Sequence, residues 1–315
     1  MKDKITLSVN PSYKCNLRCE FCYLSVEQLA STKLLDLDLF YERLSEISTH
    51  RFIEHIDLYG GEIALIKEEY LTQMERTIRV FYKGPINVIT NLTIINSFFL
   101  KEGIELSVSW DYFARDQFEK VYQNMHSLDK NFHILILASD KLIQMNDAEL
   151  DEFIHLLNSL PKLTTVEIKP YSFNKFNTQE VTYLQHEEWI KRWIMRSGFF
   201  RFEFINLTRI KASLSRNYSS WSDEHLYITP SGNYAVLEFD EENREYFSEL
   251  PNYEQYLNWI QKEKCVVESN SFCGGCTYLG SCLSEHLQPV YNIEYSCNGF
   301  KNLLDWYKTQ ELNSR

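Results

Sequence analysis

Three cysteines near the N-terminus lie in one short run, Cys15, Cys19 and Cys22, with the spacing C-x3-C-x2-C. Three thiolates can hold three irons of a [4Fe–4S] cluster and leave the fourth iron open. An open iron can bind a small chelating molecule, so this pattern indicates activation of a ligand rather than electron transfer alone. A zinc knuckle is the alternative, but zinc sites use four ligands. No fourth cysteine or histidine lies near these three in the sequence.

The cysteine run follows a β-strand pattern at residues 5–9 and has an aromatic residue, Phe21, directly before its last cysteine. A loop at the C-terminal end of a first barrel strand is where α/β barrels hold their active sites. The combination resembles the radical S-adenosylmethionine (SAM) superfamily. The resemblance implies a [4Fe–4S] cluster on Cys15, Cys19 and Cys22, whose open iron binds the amino and carboxylate groups of SAM, with Phe21 beside the adenine. It also implies reductive cleavage of SAM to a 5′-deoxyadenosyl radical, which abstracts a hydrogen atom from a C–H bond.

Residues at the ends of the later predicted strands extend the resemblance. The second strand runs into Gly60-Gly61-Glu62, and two glycines let a backbone turn sharply and approach a ligand. In the family, this motif contacts the SAM amino group. The resemblance implies further SAM-binding positions at Asn91, at Ser109 and Asp111 (ribose), at Arg115 (carboxylate) and at Ile168 (adenine). A solvated arginine at the start of a helix is the alternative for Arg115.

The middle of the chain alternates predicted strands and helices. Strands are predicted at 5–9, 56–59, 86–90, 104–110, 132–137 and 165–169, and helices at 36–49, 66–82, 114–126 and 147–160. Six successive βα repeats predict an α/β fold with a parallel sheet and right-handed crossovers. By resemblance, this is a partial (β/α)6 barrel of the radical SAM type, followed by a small C-terminal α+β iron–sulfur domain. We expect a barrel at 1–180, a linker or lid at 181–224 and the cluster domain at 225–315.

Five further cysteines lie between residues 265 and 297. A predicted β-hairpin at 227–237 precedes them, and helices are predicted near 252–262 and 298–309. The arrangement resembles a truncated SPASM/twitch extension of radical SAM enzymes. The resemblance implies that four thiolates close an auxiliary [4Fe–4S] cluster, as suits an electron carrier. Its implied ligands are Cys273, Cys276, Cys282 and Cys297.

The second auxiliary cluster of full SPASM domains is not expected in this chain. Two of its ligand positions would fall on Leu237 and His286, and only Cys265 and His286 are left as donors. One auxiliary cluster is therefore predicted, with Cys265 either a buried or spare thiol or a replacement for Cys297. A zinc ribbon is the other alternative, because C-x2-C with further cysteines also suits zinc.

The segment 191–216 is rich in lysine, arginine and phenylalanine within an otherwise acidic chain. It predicts either a cradle for an acidic peptide, carboxylate or phosphate, or an ordinary helix–strand linker with solvated charges. The formal charge of the whole chain is −12, from 32 basic and 44 acidic residues, which argues against nucleic acid as a partner.

The cysteine content and the apolar pattern bear on the compartment. We find no signal peptide and no apolar run near 18 residues, so no membrane association is expected. Eight cysteines in such a chain indicate a reducing cytoplasm, with metal ligands rather than disulfides. Fourteen residues precede Cys15, so we expect that a separate peptide-recognition protein delivers the substrate, or that the substrate is small.

These patterns predict an oxidoreductase-type radical SAM enzyme with a reductase partner such as flavodoxin or ferredoxin. An auxiliary cluster can accept the electron left on a substrate radical, which favours a net oxidation. The first expectation is therefore a crosslink or dehydrogenation in a ribosomally made peptide. Dehydrogenation of a small sugar or amino metabolite is the alternative. A non-catalytic Fe–S electron-transfer protein is the third hypothesis, and the Gly60-Gly61-Glu62 motif argues against it.

Overall fold

Ten strands and ten α-helices form the described part of a computed structural model, which covers residues 2–171, 176, 181–237, 246–284, 297 and 299–313. The strands are β1 Lys4–Val9, β2 Phe52–Leu58, β3 Ile86–Thr90, β4 Ile104–Ser109, β5 Phe132–Leu137, β6 Leu163–Lys169, β7 Glu203–Phe204, β8 His225–Ile228, β9 Tyr234–Leu237 and β10 Phe247–Leu250. The helices are α1 Val26–Ala30, α2 Leu37–His50, α3 Glu68–Phe81, α4 Phe118–Ser127, α5 Asp140–Ile143, α6 Asp147–Asn158, α7 Tyr183–Ile194, α8 Ile205–Leu214, α9 Tyr253–Ser269 and α10 Lys301–Asn313.

Strands β1 to β6 pair in parallel, each with the next one along the chain. The complete sheet has the order β10-β9-β8-β1-β2-β3-β4-β5-β6-β7. Residues from β1 to β6 and from β8 line one cavity of about 750 Å³, so the sheet curves around it as a partial barrel. The predicted α/β fold with a parallel sheet is confirmed.

The helices between the strands form because they bury apolar side chains, and α2 and α6 also begin at a side-chain cap. Asp36 accepts hydrogen bonds from the backbone of Asp38 and Leu39 and so begins α2. Phe40 and Leu44 of α2 are fully buried against the sheet, and each such burial stabilises the fold by about 1.5–3 kcal/mol. These contacts hold the outer layer of the barrel.

The two faces of each barrel strand differ in polarity. In β1, Leu7 and Val9 are fully buried in the hydrophobic core, whereas Thr6 and Ser8 line the cavity. Because successive side chains in a strand point to opposite faces, the barrel strands present an apolar outer face to the helices and a polar inner face to the cavity.

The predicted hairpin is confirmed, because β8 and β9 pair antiparallel around a turn in which Gly232 has φ +81°. Its connection to the barrel was not predicted. Strand β8 pairs in parallel with β1, with Ser8 opposite Tyr227, and β10 extends the sheet beyond β9. The sheet therefore continues across residue 225, where the sequence predicts a domain boundary.

Two arginines of the basic segment at 191–216 form ion pairs with acids of the barrel. Arg192 and Arg196 of α7 form ion pairs with Asp147, and Arg196 also pairs with Asp151, both acids lying on α6. These contacts favour the linker hypothesis over an acidic-ligand cradle for this part of the segment. None of the helices in the described residues is long and apolar enough to cross a membrane.

Candidate active site

The cysteine loop, residues 15–22, follows β1 at the carboxyl edge of the sheet. Its backbone is fixed by hydrogen bonds from Cys15 N to Leu29 O (3.1 Å) and from Cys22 N to Cys19 O (3.1 Å). All three half-buried thiols line the cavity. The backbone N–H of Leu17 donates to Cys15 Sγ at 3.4 Å. A similar bond runs from Leu24 to Cys22 Sγ, also at 3.4 Å, and such bonds to sulfur tune iron–sulfur clusters.

The loop is unfavourable for bare thiolates. Burial raises the pKa of Cys15 and Cys22 and raises that of Cys19 to about 11, while the positive charge of Arg115 acts in the opposite direction on all three. A bound metal centre would stabilise the deprotonated form of these thiols. The donor atoms and their surroundings fit a thiolate-bound metal cluster.

Two glycines fix the end of β2 against the start of the cysteine loop. Gly60 has φ +150°, and a Cβ there would lie 2.4 Å from Ser12 O. A Cβ on Gly61 would lie 2.2 Å from Lys14 O, so a side chain at either position would collide with backbone. The amide of Gly61 donates to Ser12 O at 3.0 Å. This close approach explains both glycines and leaves their backbone on the cavity wall.

Glu62 lies beneath this turn and is 1% exposed. Its carboxylate accepts hydrogen bonds from Ala64 N at 2.8 Å, Thr90 Oγ1 at 2.5 Å and Asn91 N at 2.6 Å. The side chain is not among the residues that line the cavity. Glu62 therefore links the ends of β2 and β3 and holds the Gly60-Gly61 turn in place.

Asn91 continues this linkage from β3 to the cysteine loop. Its Nδ2 lies 3.0 Å from Asn16 Oδ1 and 3.9 Å from Cys15 Sγ. Its Oδ1 accepts from Thr93 Oγ1 at 2.7 Å, and Asn16 Nδ2 in turn donates to Thr93 Oγ1 at 2.7 Å. Asn91, Thr93 and Asn16 thus form a closed ring of hydrogen bonds next to Cys15, and this ring orients the first cysteine of the loop.

Asp111, Arg115 and Phe21 form a linked group that lines the same cavity. Asp111 Oδ1 accepts from Leu137 N at 2.5 Å. Its Oδ2 accepts from Arg115 Nε at 2.7 Å and from Arg115 Nη2 at 2.5 Å. The Arg115 guanidinium lies 5.1 Å from the centre of the Phe21 ring. Ser109, at the end of β4, lines the cavity beside this group.

Ile168 does not face the cavity. Its neighbours in β6, Glu167 and Lys169, line the cavity, so strand alternation directs the Ile168 side chain to the other face, toward α7 and α8. The Ile168 backbone exchanges two hydrogen bonds with Asn206, at 2.8 and 2.7 Å. Of the predicted SAM-binding residues, those that line the cavity are Phe21, Gly60, Gly61, Asn91, Ser109, Asp111 and Arg115, whereas Glu62 and Ile168 do not.

A polar network inside the barrel was missed from the sequence. Asp57 accepts hydrogen bonds from His55 Nε2 at 2.9 Å, Asn87 Nδ2 at 2.7 Å and Ser8 Oγ at 3.4 Å. Ser8 Oγ also lies 2.8 Å from Nε2 of His225. Burial opposes ionisation of Asp57, but the bond from His55 contributes to a lowered pKa of Asp57, and the same bond raises the pKa of His55. We call this group of five side chains the lumen network.

The signal for the lumen network was present in the predicted strands. Thr6 and Ser8 alternate with the apolar residues of β1, and Thr165 and Glu167 do the same in β6. A polar residue at every second position of a strand whose other face is buried indicates a polar interior. Several of these polar side chains come from different strands of the sheet, which local periodicity does not reveal.

The C-terminal cysteines separate into a group of four and one outlier. Cys273 and Cys282 are buried, and a Cβ on Gly299 would lie 2.9 Å from Cys282 Sγ and 3.6 Å from Cys297 Sγ. Burial raises the pKa of Cys273 to about 12, and the thiols of Cys297, Cys282 and Cys276 add to this effect. Cys265 is exposed on α9. The structure thus brings together the four predicted ligands, and His286 lies outside the described residues.

In the described part of the chain, no three side chains of His, Cys, Asp or Glu converge on a single point where a metal ion would sit. Tetrahedral zinc requires such convergence, with sulfur ligands about 2.3 Å from one ion. A [4Fe–4S] cluster binds each thiolate through a different iron, so its ligands stay apart.

Comparison with known sequences gives partial matches. No protein-family model matches the chain. It is 25% identical over 198 residues to Molybdenum cofactor biosynthesis protein 1 of Drosophila melanogaster, a match that covers 56% of this chain and 34% of that protein. It is 27% identical over 114 residues to an uncharacterised protein of Archaeoglobus fulgidus, covering 34% of this chain and 25% of that protein. The chain spans about a third or less of the length of these curated relatives.

Comparison with solved structures shows the same fold over most of the chain. Native anSMEcpe with bound AdoMet and Cp18Cys peptide has a TM-score of 0.71 and 14% identity, covering 99% of this chain and 98% of that chain. Streptococcus suis SuiB bound to S-adenosylmethionine has a TM-score of 0.63 and 14% identity, covering 89% and 72%. SuiB bound to precursor peptide SuiA has a TM-score of 0.61 and 14% identity, covering 90% and 71%.

Proposed function

We propose that this chain is a radical SAM enzyme. One observation carries the proposal: three thiols of a single loop line the same cavity as the strand-end residues Gly60, Ser109 and Asp111. The shared fold supports it, since solved structures of that fold hold bound AdoMet. A non-catalytic iron–sulfur protein would have no use for a large cavity at its cysteine loop.

Cys15, Cys19 and Cys22 would hold a [4Fe–4S] cluster with one open iron. When bound, the cluster and SAM would supply an electron and a 5′-deoxyadenosyl radical that abstracts a hydrogen atom from the substrate. The chain positions the loop through Gly61 and Asn91, which fix it to the ends of β2 and β3. Strands of the partial barrel line the cavity and would limit the access of bulk water to the site.

The SAM pocket would be formed by the cavity-lining strand ends. The backbone of Gly60 and Gly61 would face the amino group, with Glu62 holding the turn from beneath. Ser109 and Asp111 would face the ribose and Phe21 the adenine, while Ile168 would contribute only its backbone, because its side chain faces away from the cavity.

Cys273, Cys276, Cys282 and Cys297 would hold one auxiliary [4Fe–4S] cluster in a truncated SPASM/twitch-type arrangement. Four thiols grouped in the core leave no open iron for a ligand. The cluster would therefore accept the electron left on the substrate radical, which gives a net oxidation. A reductase such as flavodoxin or ferredoxin would reduce the N-terminal cluster.

The proposed substrate is a ribosomally made peptide that receives a crosslink or a dehydrogenation. Two solved structures of the same fold contain peptides, anSMEcpe with its Cp18Cys peptide and SuiB with precursor peptide SuiA. A small sugar or amino metabolite is the second candidate. The lumen network favours it, because Asp57 and His55 give the cavity a charged, hydrogen-bonding floor suited to a hydroxylated or amino compound.

Reductive cleavage of SAM tests the proposal. Anaerobically reconstituted protein with dithionite is expected to form 5′-deoxyadenosine, and Cys19→Ala is expected to abolish it because two thiolates do not hold the cluster. Cys265→Ala is the matched control, since this cysteine is exposed on α9 and lies apart from both groups. Formation of 5′-deoxyadenosine by Cys19→Ala at the wild-type rate would refute the proposed function.

A further inference from the structure

Arg115 is a buried cation beside the cysteine loop. Its side chain is 11% exposed, and that of Asp111, its ion-pair partner, is 1% exposed. Its guanidinium lies over Phe21, which stands between Cys19 and Cys22 in the loop, with 5.1 Å from Cζ to the ring centre. Both contacts hold the positive charge at the loop rather than in solvent.

The resemblance assigns Arg115 to the carboxylate of SAM, but its geometry serves the protein itself. Two of its donors, Nε and Nη2, already bind one oxygen of Asp111. The other oxygen of Asp111 is held by the backbone amide of Leu137, at 2.5 Å. The guanidinium is therefore fixed by β4 and β5 before any ligand enters.

The charged side chains with the largest effect on Cys15 and Cys19 include four: Glu62, Asp111, Arg18 and Arg115. Glu62 is buried and accepts three hydrogen bonds from its surroundings. Arg18 is exposed and donates to the backbone carbonyls of Cys15 and Leu17. Arg115 is the buried cation among the four, and its interaction reaches all three thiols.

We propose that Arg115 is a positioning residue that raises the reduction potential of the N-terminal cluster. This inference rests on the proposed function only in that Cys15, Cys19 and Cys22 hold a [4Fe–4S] cluster. One-electron reduction would take such a cluster from the 2+ to the 1+ state and would add one negative charge to a site bearing three thiolates. A fixed buried cation stabilises that added charge, and net charge is one of the factors that set cluster potentials.

The size of the effect depends on solvent screening. The interaction of two charges is several-fold stronger at the effective dielectric of a protein interior, about 20, than in water, about 80. Removal of the Arg115 charge is therefore expected to shift the potential at least twice as far as removal of the exposed Arg18 charge. Removal of the Asp111 charge is expected to shift it in the opposite direction.

The test is a redox titration of reconstituted protein without SAM, followed by the EPR signal of the reduced cluster. Arg115→Gln is expected to lower the midpoint potential, Arg115→Lys to keep it near the wild-type value, and Asp111→Asn to raise it. Arg18→Gln is the matched control and is expected to shift it by less than half as much as Arg115→Gln. Iron and sulfide content are measured for every variant.

The outcomes separate this inference from its alternatives. A potential unchanged in Arg115→Gln, with weaker SAM binding by equilibrium titration, would assign Arg115 to the SAM carboxylate and overturn the inference. A raised potential in Arg115→Gln would indicate solvent entry rather than loss of charge, and would also overturn it. If Arg115→Gln does not hold a cluster, Asp111→Asn and Asp111→Glu decide. A charge effect raises the potential in Asp111→Asn alone, whereas solvent entry raises it in both variants and would overturn the inference. Wild-type protein without any cluster would instead refute the proposed function.

Discussion

The two cysteine groups use the same side chain in opposite surroundings. In the N-terminal loop, three half-buried thiols border a cavity of about 750 Å³. In the C-terminal group, Cys273 and Cys282 are each 7% exposed and belong to the hydrophobic core. Three donors with space beside them suit a cluster that binds a ligand, and four donors in a packed region suit one that only carries electrons. The free volume beside the ligands, as much as their number, distinguishes the two roles.

The two groups also differ in what holds them in place. The N-terminal loop is bonded to the ends of β2 and β3, through Gly61 and Asn91. The C-terminal group is held by short turns and by contacts to α10, such as the bond from Tyr278 to Asp305 at 2.6 Å. A small region of turns depends more on its metal for folding than a loop attached to a ten-stranded sheet.

Loss of the N-terminal cluster is expected to have the largest effect. The wild type should contain about eight irons per chain, from two clusters of about four each. Simultaneous replacement of Cys15, Cys19 and Cys22 by alanine should leave about four irons and no 5′-deoxyadenosine. Iron and sulfide analysis with product chromatography measures both. About twelve irons in the wild type would indicate that a second auxiliary cluster is present after all. Stoichiometric zinc in the triple variant would indicate that the C-terminal cysteines hold a structural zinc ion instead of a cluster.

Damage to the C-terminal cluster is expected to separate SAM cleavage from product formation. Cys276→Ala should still form 5′-deoxyadenosine, because the cavity and its loop are untouched, but the substrate radical would lack its electron acceptor. Deuterium from solvent should then enter the recovered substrate, as mass spectrometry would show. Normal product from soluble Cys276→Ala protein contradicts the electron-acceptor role, and insoluble protein indicates a folding role.

Displacing the N-terminal loop is expected to give a partial loss. A Cβ on Gly61 would lie 2.2 Å from Lys14 O and 2.3 Å from Tyr13 O, both backbone atoms. Gly61→Ala should therefore reduce N-terminal cluster loading and destabilise the fold by about 1–3 kcal/mol. Gly198→Ala is the control, because a Cβ there meets nothing within 4 Å. If Gly61→Ala and Gly198→Ala had the same iron content and the same urea midpoint, the loop would have moved to make room for the added methyl group without loss of stability.

The smallest effect concerns the contact between the C-terminal region and the sheet. Glu263 of α9 accepts from Ser222 Oγ at 2.6 Å and from Ser222 N at 3.2 Å, just before β8. Burial raises the pKa of Glu263 from its ordinary 4.5 to about 7. The folded state therefore binds this proton more tightly than the unfolded state. The resulting stability is full below the ordinary pKa and is lost as the pH rises through about 7.

Urea unfolding between pH 6 and 8.5 checks this effect. Over this range the free energy of unfolding of the wild type should fall by about 1–2 kcal/mol more than that of Glu263→Gln, because glutamine does not titrate. Glu268 is exposed on the same helix, so Glu268→Gln is the control and its stability should depend on pH in the same way as that of the wild type. Parallel pH profiles for the wild type and Glu263→Gln would show that this carboxyl does not link the two regions.

Local patterns sufficed for most elements of the barrel. The strands at 86–90 and 132–137 have the predicted bounds, because a short apolar run between turn residues defines a buried strand without reference to its partners. The predicted cysteine groups are also brought together, since ligands close in sequence stay close in space. The hairpin at Gly232 follows from its turn residues alone.

Contacts between distant segments could not be predicted in this way. The pairing of Thr6 with His225 joins residues more than two hundred positions apart, and the sequence of neither strand indicates which strand it pairs with. The lumen network depends on the same pairing, because Ser8 and His225 come from those two strands. The direction of the Ile168 side chain depends on strand parity: its neighbours in β6, Glu167 and Lys169, line the cavity, so the Ile168 side chain faces away from it.

The pairing of β8 with β1 has a consequence for synthesis on the ribosome. Strand β1 leaves the ribosome early, but its neighbour on one side is complete only when Ile228 has been made. At about 5–20 residues per second, that edge of β1 stays unpaired for about 10–40 s. An open strand edge recruits other chains, and this one leads directly into the cysteine loop. The strand edge that precedes the cysteine loop thus stays open until β8 has been made.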